Sequence, residues 1–586
     1  MSSLSALDRV PFDVLLAICG QLPACACVER GDYTRALGCA RDHAPGAFGG
    51  GELSALRQTS RAWRAAALGQ GLRVVVASSR WMHGGDGTRL AAIRQHHGHH
   101  VRRLVFRSSD AYHSGRHSAG SGVCAELEAA LALTWPSLAA VAVDWFSSDS
   151  SDHIRIATAV QRYAPRIRDF YLRDKAASVA QMVPLLGAVA TRVARLAVTP
   201  YGFNQHWAAL LPSERGAAAA VRRMAGQLRL LAVGGSDVTA ELLSALHATQ
   251  ARLRTLHIEH ACVEALRSAA CLGALTTLRL EHVLVGADGV LPLRPAMLPR
   301  LTTLSVRHVW RAADNAADSA RGAVSLQNDR WLAPVWAHCW GSLRVLALPA
   351  IDDVDAQALA LACPRLERLV THSLDYAGPR LSAAGLVCVL SRLPRLTHLA
   401  IEQRRADGSP GYDIAGAALC RLLGCADDDA RFGDRMLRRM SPPASPGTSS
   451  LALGDSAATD SFSALRLRSL CIPYASFTAP ALDTLVHQLP SLAFLSATLR
   501  SDSLFAGDNP PRPHLALRRL ALRADEDVLA DPLWLSAWLA QRFPALRECC
   551  TNHARSHRQT VAELRALAPA VSFTRLSSRA LQTTCN

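Results

Sequence analysis

The residues best able to do chemistry in this chain fall in three places. Cys25, Cys27, Cys39 and His43 stand close together near the N-terminus. Thiolate and imidazole are the usual ligands of zinc, but a C-x-C pair lacks the wider spacing from which structural zinc sites are built. The segment is therefore read without a metal. His96, His97, His99 and His100 crowd beside Arg102 and Arg103, and a solvated turn describes them better than a transition-metal site. Ser441 and Ser445 each precede a proline and follow Arg438 and Arg439. That context suits proline-directed phosphorylation, whose added charge the nearby arginines can pair. Catalytic constellations are missing: no phosphate loop, no G-x-S-x-G, no H-E-x-x-H and no dinucleotide fingerprint. The expectation is a protein with no catalytic residues, no metal and no cofactor.

What would position such residues is a repeat. A pattern of apolar, two variable, apolar, one variable, apolar residues recurs along the 586-residue chain. Clear copies start at Leu228, Leu253, Leu275, Leu301, Leu343, Leu396, Leu467, Leu492 and Leu517, and weaker ones at Val101, Leu138, Ile167, Val193, Leu366 and Leu546. Neighbouring starts such as 228, 253, 275 and 301 lie 25, 22 and 26 residues apart, within the roughly 20–29 residues of a leucine-rich repeat. Between them Leu386, Val389, Leu390 and Leu393, and again Leu482, Leu485, Val486 and Leu489, follow the i, i+3, i+4, i+7 spacing of one helical face. Neither the short strand nor the helix of such a unit can bury its apolar side alone, so stacking is required. The predicted fold is an α/β leucine-rich-repeat solenoid, with parallel strands on the concave face and helices outside. Three stretches break the period, 107–123, 311–327 and about 403–464; the Ser/Pro/Gly/Asp content of the last favours a disordered loop.

The N-terminus reads differently. Val14, Leu15, Ile18 and Leu22 make one apolar helical face after Pro11, and Leu53, Leu56, Ser60 and Trp63 make a second. The run Pro11, Asp13, Val14, Leu15, Ile18, Leu22, Pro23, followed by Leu53, Leu56, Ser60, Arg61 and Trp63, resembles the F-box. Together with the repeats behind it, the chain resembles the F-box leucine-rich-repeat proteins, substrate receptors of cullin–RING ubiquitin ligases. Cys19 stands where that family usually has a bulky aromatic, and the 28 residues 24–51 separate halves that the family keeps close. The resemblance implies that Pro11, Val14, Leu15, Ile18, Leu22, Pro23, Leu53, Leu56 and Trp63 contact a Skp-type linker protein of the cullin–RING core, while the solenoid holds a protein substrate. The alternative is a leucine-rich scaffold with no ligase role. The layout is thus a small all-α F-box-like module over 1–70 with its insert, repeats over 71–402, an irregular and partly disordered insertion over 403–464, and further repeats with a cap over 465–586.

Counting from each first leucine, positions three, five and seven should face the concave surface. Position three gives the column Thr255, Thr277, Thr303, Val345, Arg368, His398, Ser469, Phe494, Arg519. Position five gives His257, Arg279, Ser305, Ala347, Val370, Ala400, Cys471, Ser496, Ala521, and position seven gives Glu259, Glu281, Arg307, Pro349, His372, Glu402, Pro473, Thr498, Arg523. The substrate-binding candidates among them are His257, Glu259, Arg279, Glu281, Arg307, His398, Glu402, Phe494, Arg519 and Arg523, mixing aromatic and arginine anchors as interface hot spots do.

Composition bounds the remaining classes. Hydrophobic residues are 49% and charged ones 19%, which excludes wholesale disorder. No run approaches the roughly 18–20 apolar residues of a membrane span, and the short run Val14–Cys19 lacks a basic flank for a secretory signal. The sixteen scattered cysteines then read as free buried thiols of a cytoplasmic or nuclear protein. Lys+Arg 64 against Asp+Glu 48 leaves a formal +16. Lys175 is the single lysine, so nearly all of the positive charge is arginine. Because those arginines form no linear tract and have no aromatic interleaving, protein partners rank above nucleic acid.

Overall fold

The computed structural model describes residues 74–78, 87–107, 120–145, 150–174, 192–200, 226–233, 252–261, 272–285, 293–312, 323–325, 333–371, 381–402, 412–413, 466–500, 513–524, 532–551 and 571–575, with isolated positions between them. The F-box-like residues, the Cys25–His43 cluster, Lys175, His372, Ser441 and Ser445 lie outside the described residues.

Every one of the fifteen pattern starts is followed two residues later by the first residue of a strand. A turn made three residues earlier explains the offset. The N–H groups of Leu138, Leu301, Leu366 and Leu492 donate to the carbonyl of the third residue before them, at 3.2, 3.1, 3.1 and 3.0 Å. That bond drops the first leucine into the core and launches the chain as a strand. One repeat does this with a side chain. The Leu517 N–H donates to His514 Nδ1 at 3.1 Å, so the other ring nitrogen carries the proton and donates to the Leu489 carbonyl at 3.3 Å. Burial holds the His514 pKa below its usual value, which keeps the ring neutral for this role.

The chain divides into two compact units, Met1–Thr276 and Thr277–Asn586. In the first, strands β1 (Val74–Ser78), β2 (Arg103–Arg107), β3 (Ala140–Trp145), β4 (Asp169–Asp174), β5 (Arg195–Pro200), β6 (Leu230–Val233) and β7 (Thr255–Ala261) pair in chain order, all parallel. Helices α1 (Gly87–His97), α2 (Gly120–Ala132) and α3 (Ser150–Tyr163) lie between strands in the sequence. Leu104, Phe106, Val141, Val143, Phe170 and Leu172 alternate with the concave positions and are buried, as period-two strands require. β1 was not legible as a repeat, because its copy has decayed to Leu72, Val75 and Ala77.

The second unit holds β8 (Thr277–Val285), β9 (Thr303–Ala312), β10 (Ala323–Ser325), β11 (Val345–Leu348), β12 (Arg368–Thr371), β13 (Leu381–Ser382), β14 (His398–Ile401), β15 (Tyr412–Asp413), β16 (Ser469–Phe477), β17 (Phe494–Leu499), β18 (Arg519–Ala524), β19 (Glu548–Thr551) and β20 (Ser572–Arg575). β8, β9, β11, β12, β14 and β16 to β20 pair in that order and in parallel. β10 falls inside the period break at 311–327 and folds back antiparallel on β9; β13 and β15 form a separate two-stranded sheet. Helices α4 (Ala333–Trp336), α5 (Asp353–Ala362), α6 (Ala383–Arg392), α7 (Ala479–Gln488) and α8 (Pro532–Arg542) complete it. The apolar faces expected of α6 and α7 are the buried ones.

Local signals set these helices. Asp352 and Asp355 close a capping box on α5, and the helix ends at Cys363, ahead of Pro364. Ser382 caps α6 through the N–H groups of Ala384 and Gly385. The two helices are then tied across repeats. The Asp353 carboxylate accepts from both the Ser382 N–H at 2.8 Å and its hydroxyl at 2.7 Å. Thr478 caps α7, with a proline in the first turn. β16 carries an irregularity between Cys471 and Ser476 against β17. Pro473, which has no N–H to give a ladder, sits in this bulge, and its carbonyl accepts from the Thr498 hydroxyl at 2.7 Å.

Candidate interaction surface

The position-three and position-five columns stand in register, strand by strand. In the second unit Thr277 faces Thr303, Thr303 faces Val345, and the row continues through Arg368, His398, Ser469, Phe494 and Arg519 to Glu548. Two residues on, Arg279, Ser305, Ala347, Val370, Ala400, Cys471, Ser496 and Ala521 form a second row. In the first unit Ala142, Tyr171, Ala197, Ala232 and His257 do the same.

The second row differs from expectation in accessibility. His257 is 3% exposed and Cys471 0%. Val370, Ala400, Cys471 and Ala521 form one apolar cluster with Phe494, which is itself 9% exposed although it belongs to the first row. The first unit has its counterpart in Val105, Ala140, Ala142, Tyr171, Ala197 and Ala232. The physical reason is height. Many of the middle-row side chains are small, among them Ala142, Ala197, Ala232, Ala400, Cys471 and Ala521, and longer ones from a flanking row cover them. Phe494 joins the cluster from one side, and the Arg103 guanidinium lies 5.5 Å from the Tyr171 ring centre in the first unit. A strand face that alternation marks as outward is therefore a second, minor core.

The remaining candidates flank that row. Arg307 pairs with Glu281 at 3.1 Å, and Arg519 with Glu548 at 2.7 Å. The Arg519 guanidinium stands 6.0 Å from the Phe494 ring centre and that of Arg523 4.4 Å from Tyr474, the second within cation–π range. Glu402 anchors its N–H on the Thr371 carbonyl, and the Cys471 thiol donates to its carboxylate at 3.6 Å. His398 is exposed, with its Nδ1 2.8 Å from the Thr397 hydroxyl. Burial of part of the ring, then Arg368 and Arg468, hold its pKa below the usual histidine value. Glu259 and Arg279 are half-buried in the first and second unit respectively. Of the candidates, Arg307, His398 and Arg519 are the most exposed. Tyr474 was missed because it lies in the β16 bulge, outside the three counted positions. His282 and His308, in register on β8 and β9, stack at 4.9 Å between ring centres.

Neighbouring chemistry is modest. His96 lies in α1, and His99 and His100 follow it with ring centres 3.9 Å apart. Among the described residues no group of three or more His, Cys, Asp or Glu side chains is placed to hold a metal, and no helix is long and apolar enough to cross a membrane. Cys363 and Cys549 are buried thiols, the former pushed up to about 12 by burial and by the neighbouring Cys339. Cys339 itself is exposed, unlike the buried thiols expected.

No protein-family model matches this chain, and no curated protein matches it. Among solved structures, one from the crystal structure of the yeast Rad7 and Elc1 complex aligns over 54% of this chain and 74% of its own, at 14% identity and a TM-score of 0.31. A likeness of that size adds nothing to the fold already given by strand register.

Proposed function

We propose that this chain is a non-catalytic substrate-recognition subunit of a Skp–cullin–F-box type ubiquitin ligase. The observation that carries the reading is a pairing. The F-box-like residues Pro11–Pro23 and Leu53–Trp63 precede a leucine-rich solenoid whose variable positions line up strand on strand. On this reading Val14, Leu15, Ile18, Leu22 and Trp63 bury apolar surface against the linker protein. The solenoid holds a target protein near a ubiquitin-charged enzyme, raising the effective concentration of the acceptor lysine without bond chemistry of its own. The complex works in the cytoplasm or nucleus. With Lys175 the single lysine of this sequence, the receptor is a poor target for its own ligase.

The test is a pull-down of the full chain with a Skp-type linker. Wild type should be retained, and a variant carrying Leu15→Asp and Ile18→Asp should not. Failure of the wild type to associate would leave the protein as a leucine-rich interaction scaffold without a ligase role.

A further inference from the structure

Arginines that the sequence scatters at roughly 25-residue intervals converge at one end of the strands. The relevant positions are the residue just before each first leucine and the two just after it, where the chain enters the sheet. Over the fifteen repeats these are 45 positions, and 19 of them are arginine, against 63 arginines in 586 residues. Three are carboxylates: Asp169, Glu367 and Glu548. The strand-entry positions therefore carry a net +16. The rest of the chain has 64 less 19, or 45, basic and 48 less 3, or 45, acidic residues. The whole formal charge of the protein resides at these positions.

Hydrogen bonds place the second of these positions in a continuous row within each unit. In the first unit the N–H of Arg168 donates to Ala139, Ala194 to Arg168, Arg229 to Ala194 and Arg254 to Arg229, all at 2.7–2.9 Å. In the second, Arg468, Ala493, Arg518 and Arg547 continue the same pattern at 2.8–2.9 Å. Seventeen of the nineteen arginines are exposed. Each of the three carboxylates is already paired, with Arg195, Arg344 and Arg519 respectively. Arg166, Arg192, Arg229, Arg252 and Arg254 are exposed and carry no ion pair among the described residues.

We propose that the strand-entry rim of each unit binds the phosphate backbone of nucleic acid. Charge density and arginine chemistry point to that partner, and the polyglutamate arm below separates it from an acidic protein segment. Six strands, β2 to β7, span about 24 Å at ~4.8 Å per strand. Their eight exposed arginines thus fall about every 3 Å. Within a duplex each strand presents a phosphate about every 3.4 Å of helix axis. Arginine also binds phosphate through two parallel N–H donors. The rim has almost no aromatic surface, since Phe494 is the one Phe, Tyr or Trp in the 45 positions and it is buried. Contact is therefore with phosphates and not with bases, and it is independent of base sequence.

The test uses the full chain and a fluorescein-labelled, mixed-sequence single strand of about 20 nucleotides, read by anisotropy between about 50 and 200 mM salt. Wild type should bind, with log K falling against log salt at a slope steeper than about −3. Replacing Arg168, Arg229, Arg254, Arg468, Arg518 and Arg547 with Gln should weaken binding at least tenfold. It should also flatten the slope by up to about 4, at ~0.7 per lost phosphate contact. A control replacing Arg155, Arg279, Arg307, Arg500 and Arg523, which lie outside the strand-entry turns, should keep the wild-type slope. Equal losses in both variants would overturn the rim as the site. Polyglutamate of matched charge displacing the strand equally well would reassign the rim to an acidic protein, and no wild-type binding at the lowest salt would reject the proposal. The polyglutamate and salt arms need only wild type, so they decide the matter even if a variant misfolds.

Discussion

Phe494→Ala separates a binding residue from a packing residue. By sequence Phe494 reads as an exposed aromatic anchor; in the fold it is 9% exposed and clustered with Val370, Ala400, Cys471 and Ala521. A phenylalanine buries roughly 150–250 Å². Removing about 180 Å² of that from contact, at ~25 cal/mol per Å², gives about 4.5 kcal/mol before the alanine methyl and local collapse are allowed for. Collapse is easier on a strand face than between sheet and helices, so the expected loss is about 3 kcal/mol, the low end for Phe→Ala. The assay is urea denaturation of the full chain by circular dichroism, with hydrogen exchange on peptides from β16, β17 and β18. The exchange arm is needed because repeat arrays lose stability locally. Exchange should accelerate in those three strands and not in the first unit. The paired control is Arg519→Gln, an exposed residue in an ion pair, which should cost less than about 1 kcal/mol. A Phe494→Ala midpoint shift worth under about 0.5 kcal/mol, with unchanged exchange, would refute the minor-core reading and return Phe494 to the surface.

Other consequences are equally direct. Thr371 occupies a core position at 0% exposure, with its hydroxyl buried and unbonded; Thr371→Val should stabilise by about 1 kcal/mol, and a loss on thermal melting would show that the hydroxyl has a partner. A Cβ on Gly385 would collide with the Asp353 carboxylate and stand 2.7 Å from Leu381 Cδ1. Gly385→Ala should therefore cost about 1–3 kcal/mol by displacing the Asp353–Ser382 tie, and an unchanged melting temperature would contradict that crowding. Asp483, 3.1 Å from Arg542, has its carboxyl pushed up to about 6 by burial, against 3.8 ordinarily. Its folded pKa lies above the unfolded one, so its contribution is fully present below about pH 4 and is lost as pH rises through about 6, by roughly 3 kcal/mol. Asp483→Asn should remove that part of the stability–pH curve; curves that stay parallel between about pH 4 and 7 would assign the slope to another group.

Much of the architecture was legible in the chain because a repeat states its own phase. The leucine at the first position must be buried, the turn before it is local, and the strand follows two residues later, so register could be counted from Leu253 or Leu492 without coordinates. The faces of α6 and α7 were readable for the same reason. Tertiary structure decided what depends on neighbours from other repeats. Whether Ala400, Cys471 or His257 meets solvent is set by the height of side chains beside it, and those arrive from strands remote in sequence. The fold-back of β10, the decayed copies behind β1 and β20, and the Asp353–Ser382 tie each rest on contacts that no six-residue pattern encodes. The arginines make the contrast sharpest. One at a time, about 25 residues apart, they are solvated charges with no tract among them; strand pairing brings them within one or two strand spacings, about 5–10 Å, of each other along a hydrogen-bonded row, where their fields add. Periodicity determined which residues share a row, and only packing determined which rows are covered and where the charge collects.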